Sequence, residues 1–554
     1  MNTKQKLETE PANINKITLP TDCLIEILPC LVDDKTTLFS ASLVNRAWCR
    51  IAIPLLWSTI NVNSNKTSLI KTFLKCMNDN EREAIIEYSE PSYPRPLFLY
   101  TSYIKELDWN TIDDLFVEYE KGNIRESNDS EKSLWKSILQ ITDEREKQKI
   151  ITDFMVQICT LIFRTATSLE KFVIDIDRTP FTILPFAKFP NASVAFSKLK
   201  EVQLIGFRGV MCHSSLYIRD SVHLMKSVSS NIRFLAVHLS IYQYNTYDRD
   251  ALCDLIKAQN QLEHVILTGM CDDHRSIIHA LHTQAKCLAC LEFKTAYISN
   301  WTTFLLNNLG IFTKLEALAF KNCYLTPNAL IGQLTSQPPS CLRKLYIGND
   351  EKFLVLLEIA GRNLEDLIIV EDCTEAAYRA IGKHCTNLLS LQTNPTKSSN
   401  PSLLEVITKL PNLKHLSITN LYRIKEIFSD EFWTELSQKS SANLCSLYFN
   451  CLEATPRALA SFLSNRTKLI KVLEFGGQVQ LTDEHLLAIL NYCQERQVFV
   501  KIYSQAFKRM GEFDSYLIEQ LKEWVRLVPN KRFDRYSPFM GIRENILEAT
   551  ISCM

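Results

Sequence analysis

Glycine is scarce in this chain: 13 of 554 residues, about a third of ordinary usage. No two glycines stand in G-x-G spacing. That excludes the dinucleotide-binding fingerprint, the kinase glycine loop and the phosphate-binding loop together. Neither G-x-S-x-G nor H-E-x-x-H occurs, which removes the hydrolase elbow and the zinc-protease helix. An excess of one charge is also missing. Lys and Arg total 62, as do Asp and Glu, which argues against a dedicated nucleic-acid binder or a polybasic membrane protein. No apolar run approaches 18 residues, so no membrane-spanning helix is expected. Residues 1–18 are polar and lack the apolar core of a signal peptide. The expected location is therefore cytoplasm, nucleus or both. The rest is ordinary: 46% of residues are apolar and 22% charged, enough for a large buried core. The balance leans towards a protein that binds other proteins.

What the chain does have is a repeat. The triplet L-x-x-L-x-L, with β-branched or aromatic substitutes, recurs twelve times between Leu169-Phe172-Ile174 and Ile470-Leu473-Phe475, at spacings of 22 to 33 residues. An earlier copy, Ile104-Leu107-Trp109, opens the array. Alternating apolar residues at the end of each triplet suit a short strand with one buried face. The following segments, such as Leu252-Leu255-Ile256 and Leu486-Leu487-Leu490, carry an apolar stripe at helical spacing. One strand–helix unit cannot bury both apolar faces alone, so neighbours must stack. LEALAFKNCYLTPNAL (315–330) resembles the cysteine-containing subtype of leucine-rich repeat, with Cys271, Cys323, Cys373 and Cys451 in the turn after the strand. Thr482 or Asp483 is the expected N-cap of a late repeat helix. The expected fold is α/β: a leucine-rich-repeat horseshoe of about 12–13 strand–helix units over residues 101–505.

Cysteine is abundant, at 18 residues. With no export signal in view the thiols are expected to be reduced. Five N-x-S/T sites (Asn65, Asn128, Asn191, Asn300 and Asn465) then read as chance matches. His264, Cys271, His274, His279, His282, Cys287 and Cys290 crowd one stretch and could suit tetrahedral zinc. Yet Leu288 and Leu291 keep the repeat register through it, and no second C-x2-C completes a site, so repeat residues are favoured. Gly206-Phe207-Arg208-Gly209 matches a G-x-x-G nucleic-acid clamp. It follows a repeat strand without basic surroundings and reads as a turn. No catalytic residue, metal site or cofactor is expected.

The N-terminal segment has a different character. Residues 17–60 read as three short helices, the first capped by Thr21 or Asp22 and broken at Asp33-Asp34, with Pro29 ending it early. So small a piece cannot bury a self-sufficient core, and exposed aliphatic surface on it marks a partner's site. Its residues Leu19-Pro20, Asp22, Leu24, Ile27-Leu28, Leu31, Leu38, Ser42, Val44, Asn45-Arg46 and Trp48, with the exit Pro54-Leu55-Leu56-Trp57, resemble the F-box. That module docks substrate receptors onto the Skp-family adaptor of cullin–RING ubiquitin ligases. The resemblance implies adaptor binding through Leu19, Pro20, Leu24, Ile27, Leu28, Leu31, Val44 and Trp48. Within that set it implies that Leu19, Pro20, Ile27 and Leu28 face the adaptor while Val44 and Trp48 support the fold.

The expected organisation is a disordered tail (1–16), an all-α three-helix F-box (17–60), a proline-rich linker (61–100) and the repeats (101–505). A charged insertion is expected at 113–150, partly helical near Leu134–Ile141, and a helical cap or tail at 506–554. Strand residues beside the last two anchors should face the concave side. The expected target-reading side chains are Lys294, Lys321, Lys344, Tyr346, Asp366, His415 and Tyr448, with His264 and Glu292 on the same face. Lys294, Lys321 and Lys344 fall in consecutive units, and a basic ladder there could receive an acidic or phosphorylated segment. A solvated row of lysines fits equally well. The expected function is a non-catalytic ligase receptor that reaches cullin and RING subunits through its adaptor and holds an unknown target protein, with no nucleic acid or membrane partner. The alternative is an intracellular repeat scaffold without ligase function.

Overall fold

A computed structural model of the chain describes residues 19–60, 66–85, 95–112, 114, 144–175, 184–205, 214–238, 246–270, 275–298, 300–325, 341–348, 353–419, 429–449, 455–466, 469–475, 481–504 and 514–528. The chain divides into two compact units. The first comprises Met1–Gly206 with Val210–Asn231, the second Phe207–Gly209 with Ile232–Met554.

The first unit opens with helices α1 (Thr21–Ile27), α2 (Lys35–Ser42) and α3 (Arg46–Leu56). Pro20, rather than Thr21 or Asp22, stands at the N-cap of α1. Pro29 has no N–H to extend the helix, and the chain tightens into a 3-10 turn over Leu28–Leu31. Asp34 caps α2, accepting from Thr37 N at 3.0 Å and from Thr37 Oγ1 at 2.6 Å. Asn45 caps α3 through the N–H groups of Ala47 and Trp48. Each cap satisfies amides that the first helical turn leaves without partners.

Behind these helices the stretch expected as a linker contains two more, α4 (Lys66–Cys76) and α5 (Asp79–Glu83). Glu81 in α5 is buried and receives Arg164 Nε at 2.7 Å and Arg164 Nη2 at 2.9 Å. Arg164 lies near the end of a long helix, α6 (Glu144–Thr165). Leu134–Ile141, where helix was expected, lies outside the described residues. The unit's strands β1 (Glu106–Asp108), β2 (Lys171–Asp175) and β3 (Glu201–Ile205) run parallel. The exit of α3 joins them: Ser58 O accepts from Lys105 N at 2.8 Å and Glu106 N at 3.0 Å. The small helical module is thus tied directly to the first repeat strand.

The second unit is a ladder of parallel strands alternating with helices. Its strands are β4 (Phe234–His238), β5 (His264–Thr268), β6 (Cys290–Lys294), β8 (Ala317–Lys321) and β10 (Lys344–Ile347). The ladder continues through β11 (Asp366–Cys373), β12 (Ser390–Pro395), β13 (His415–Ile418), β14 (Ser446–Phe449), β15 (Val472–Phe475), β16 (Val500–Ser504) and β17 (Val525–Val528). Two short strands, β7 (Tyr297–Ile298) and β9 (Tyr324–Leu325), pair beside it. The triplet anchors Leu235, Val265, Leu291, Leu318, Leu345, Leu367 and Leu391 are fully buried. Where Thr393 replaces an apolar anchor, its hydroxyl is paired with Tyr378 Oη at 2.8 Å, as a buried polar atom requires. Thr482 caps its helix as expected. Cys373 is buried and Cys323 half-buried, whereas Cys271 and Cys451 lie outside the described residues. The described cysteines are free thiols. No helix among the described residues is long and apolar enough to cross a membrane. The region expected as a helical cap holds a helix, Ser515–Trp524, that runs straight into strand β17.

Candidate docking surfaces

The helical module sorts its apolar residues onto two faces. Leu24 and Leu28 lie one helical turn apart and turn inward, where Leu28 meets Leu38, Ala41 and Ala52. Leu31, Trp48, Ile51, Leu55 and Leu56 pack partly buried against that cluster. Lys35 Nζ staples the base, donating to Leu55 O at 3.0 Å and Thr59 Oγ1 at 3.3 Å. Burial there lowers the Lys35 pKa, because desolvation disfavours the ammonium.

The module also leaves many apolar side chains in solvent. Leu19, Ile25, Ile27, Phe39, Leu43 and Val44 are all exposed. They are six of the fifteen large exposed apolar side chains among the described residues, packed into 26 positions. Such a concentration on so small a piece marks an interaction surface. Two expectations are corrected here. Leu24 and Leu28 are core residues rather than contact residues, because their spacing sets both on the inward stripe. Val44, expected to support the fold, is exposed in the turn between α2 and α3. Ile25, Phe39 and Leu43 are exposed as well and were not among the residues expected; they are apolar positions that no single buried helix stripe needs.

The F-box-like family matches residues 17–63. The helical module at the N-terminal end of the repeats is F-box-like. No curated protein matches it in sequence. Among solved structures, the crystal structure of the Rad7 and Elc1 complex in yeast aligns over 60% of this chain and 80% of that chain, with 15% identity and a TM-score of 0.36. This chain thus carries an F-box-like helical module ahead of its parallel strand–helix repeats.

The second candidate surface is the strand face of the second unit. Strand register overturns the expected three-lysine ladder. Lys294 aligns with Lys321, but Lys344 aligns with Ala317 and Asp366, at the opposite end of the strands. The lysines are also ion-paired within the face. Glu292 Oε1 receives Lys321 Nζ at 2.6 Å and Lys294 Nζ at 3.0 Å, while Lys344 Nζ lies 3.2 Å from Asp366 Oδ2. Lys321 is buried, as is Glu292. Desolvation lowers the Lys321 pKa to about 8 against the pull of Glu292. Lys321 Nζ also sits 5.3 Å from the centroid of the buried Tyr346 ring. Lys321 and Tyr346 are therefore built into the face rather than standing free on it.

The other expected contacts are half-buried. Asp366 has its pKa raised by burial, which outweighs Lys344. His415 is held down to about 4 by burial, with Lys414 adding to the effect. Tyr448 is pushed up to about 12, again mainly by burial. Two strands from His415, Glu474 is raised by burial to about 7, a feature that no repeat pattern signals. Of the histidine–cysteine stretch, Cys271 and His274 lie outside the described residues. Among the described residues no three His, Cys, Asp or Glu side chains gather as metal ligands.

Proposed function

We propose that this protein is a non-catalytic substrate receptor of a cullin–RING ubiquitin ligase, with a Skp-family adaptor on the F-box and a target protein on the repeats. The exposed apolar residues Leu19, Ile25, Ile27, Phe39, Leu43 and Val44 of the small helical module carry this reading. A receptor of this kind acts by raising effective concentration: target lysines are held near a ubiquitin carrier whose chemistry belongs to other subunits. The tie between Ser58 and Lys105–Glu106 supports it, since an adaptor on the F-box is then carried at a fixed place on the first repeats.

The test is co-purification of the full chain with a Skp-type adaptor. Ile27→Ser with Phe39→Ser should abolish recovery while the circular dichroism of the chain is unchanged. Recovery of no adaptor by the folded wild-type chain would overturn the ligase reading in favour of a repeat scaffold.

A further inference from the structure

Two repeats carry the same strand triplet, Leu291-Glu292-Phe293 in β6 and Leu473-Glu474-Phe475 in β15. In both, the leucine and the phenylalanine are fully buried, and the glutamate between them takes the opposite face of the strand. The fold provides for the two carboxyls differently. Glu292 holds Lys294, two residues further along the chain, and Lys321 on β8. Neither lysine has a counterpart at Glu474. Two residues after Glu474 the sequence has Gly476. Lys321 follows Phe320, the register partner of Phe293, whereas Gln505 follows Ser504, the register partner of Phe475.

The neighbouring strands do not make up the difference. His415, Ser417, Ser446 and Tyr448 share the face of Glu474 on β13 and β14, all half-buried, with Ser417, Tyr448 and Glu474 aligned in one row. On its other side the register partner of Glu474 is Tyr503. Glu474 Oε1 is buried and has no hydrogen-bond partner among the described residues. Burial alone raises this carboxyl to about 7, whereas Asp366 on the same sheet has Lys344 to pull it back. Glu474 as a whole is half-buried, so a ligand on the face can reach it. We infer that Glu474, with Tyr448 beside it, is the docking point for an arginine side chain of the target protein.

Charge and shape decide the class. A half-buried carboxyl that the fold leaves without a cation gains most from one supplied from outside. A guanidinium is more weakly hydrated than an ammonium, its planar fork meets both carboxylate oxygens, and it stacks on aromatic rings. Tyr448 offers such a ring next in the row, close enough for Glu474 to act on its pKa. The last torsion of a glutamate is soft, so either oxygen can turn to the ligand. As the ion pair forms, the proton held on the carboxyl leaves to solvent. This inference deepens the receptor reading and rests on it, but its test needs no adaptor.

The full chain is panned against a random dodecapeptide phage library at pH 7.5, and synthetic, histidine-free versions of the enriched peptides are measured by fluorescence anisotropy. Peptides sharing an arginine should be enriched, and citrulline in its place should weaken binding roughly tenfold or more. From pH 7.5 to 5.5 the wild-type affinity should fall roughly tenfold or more, as Glu474 takes up its proton. His415, held down to about 4, and Tyr448, pushed up to about 12, stay neutral across that range. Glu474→Gln keeps the shape of the neutral carboxyl; it should weaken the peptides by a similar factor and flatten the pH profile. A thermal midpoint no lower than that of wild type shows that this variant folds, and the wild-type pH profile needs no variant at all. Enrichment without a shared arginine, equal affinity of the citrulline peptide, or a pH profile that Glu474→Gln leaves unchanged overturns the inference. Any of these with adaptor recovery intact leaves the receptor reading standing, whereas arginine docking at Glu474 with no adaptor recovered sinks that reading alone.

Discussion

Lys321 Nζ lies 2.6 Å from Glu292 Oε1, and both side chains are buried on a strand face where neighbouring residues keep partial contact with solvent. Removing Lys321 leaves the buried Glu292 with only the more exposed Lys294 at 3.0 Å, which is worse than removing both members of the buried pair. Lys321→Met should destabilise the second unit by about 3–5 kcal/mol, whereas Lys321→Met with Glu292→Met should come back to within about 1 kcal/mol of wild type. Lys294→Ala, at the more exposed partner, should change stability by less than about 1 kcal/mol. Urea denaturation of the three variants decides it. Equal losses for Lys321→Met and Lys294→Ala would refute the buried pair.

The two faces of the F-box should separate in the same way. Leu28→Ala opens the buried cluster with Leu38, Ala41 and Ala52 and should cost about 2–5 kcal/mol. Ile27→Ala, one residue earlier but exposed, should stay within about 0.5 kcal/mol. Limited proteolysis of the full chain reports both, as faster cleavage in the F-box for Leu28→Ala only. Matching cleavage rates for the two variants would mean that the inward and outward stripes are wrongly assigned.

The repeat architecture was legible because anchor burial forces a period. Leu291, Leu318 and Leu345 stand in register on consecutive strands, and each is an L of the triplet. Strands β16 and β17 escaped because they break the spacing: Val498-Val500-Ile502 has the wrong first interval, and β17 follows its helix without a turn. The strand-face chemistry was less legible. Lys294 and Lys344 occupy different places relative to their anchors, one after the last and one before the second, so only register shows that they do not form one row. The Glu81–Arg164 pair joins residues 83 positions apart, and no local pattern connects them. In the F-box, helical spacing distinguishes Leu24 and Leu28 from Ile27, but resemblance alone assigned Leu28 outward, and burial reverses that assignment.

Thr295 and Gly269 each follow the last residue of their strand with positive φ, and Thr295 is the strained member of the two. A β-branched residue at φ 46° crowds its own backbone, while Gly269 at the matching position accepts φ 75° freely. Thr295→Gly should therefore stabilise the second unit by about 0.5–1 kcal/mol, the strain relieved exceeding the entropy added to the unfolded chain. Gly269→Ala should do the reverse. The urea midpoints of the two variants should move in opposite directions, and a shared direction would show that φ does not govern either site.

His415 and Glu474 should give the second unit two opposing responses to pH. His415 is lowered from 6.5 to about 4, so as pH falls through that window the unfolded chain gains a proton that the folded chain refuses. Its contribution is present above 6.5 and is lost towards 4. Glu474 is raised from 4.5 to about 7, so as pH rises through that window the unfolded chain releases a proton that the folded chain keeps. Its contribution is present below 4.5 and is lost towards 7. Between pH 4.5 and 6.5 the two slopes have opposite sign, so they offset each other. Glu474→Gln should unmask the histidine, with stability rising from pH 4.5 to 6.5 by up to about 1.4 kcal/mol per unit. His415→Gln should unmask the carboxyl, with stability falling over the same range by a similar amount. Denaturation of wild type and both variants at pH 4.5, 5.5 and 6.5 measures the slopes. Parallel lines for the three proteins would show that neither group titrates within the folded face, and that its burial is accommodated without a shifted proton.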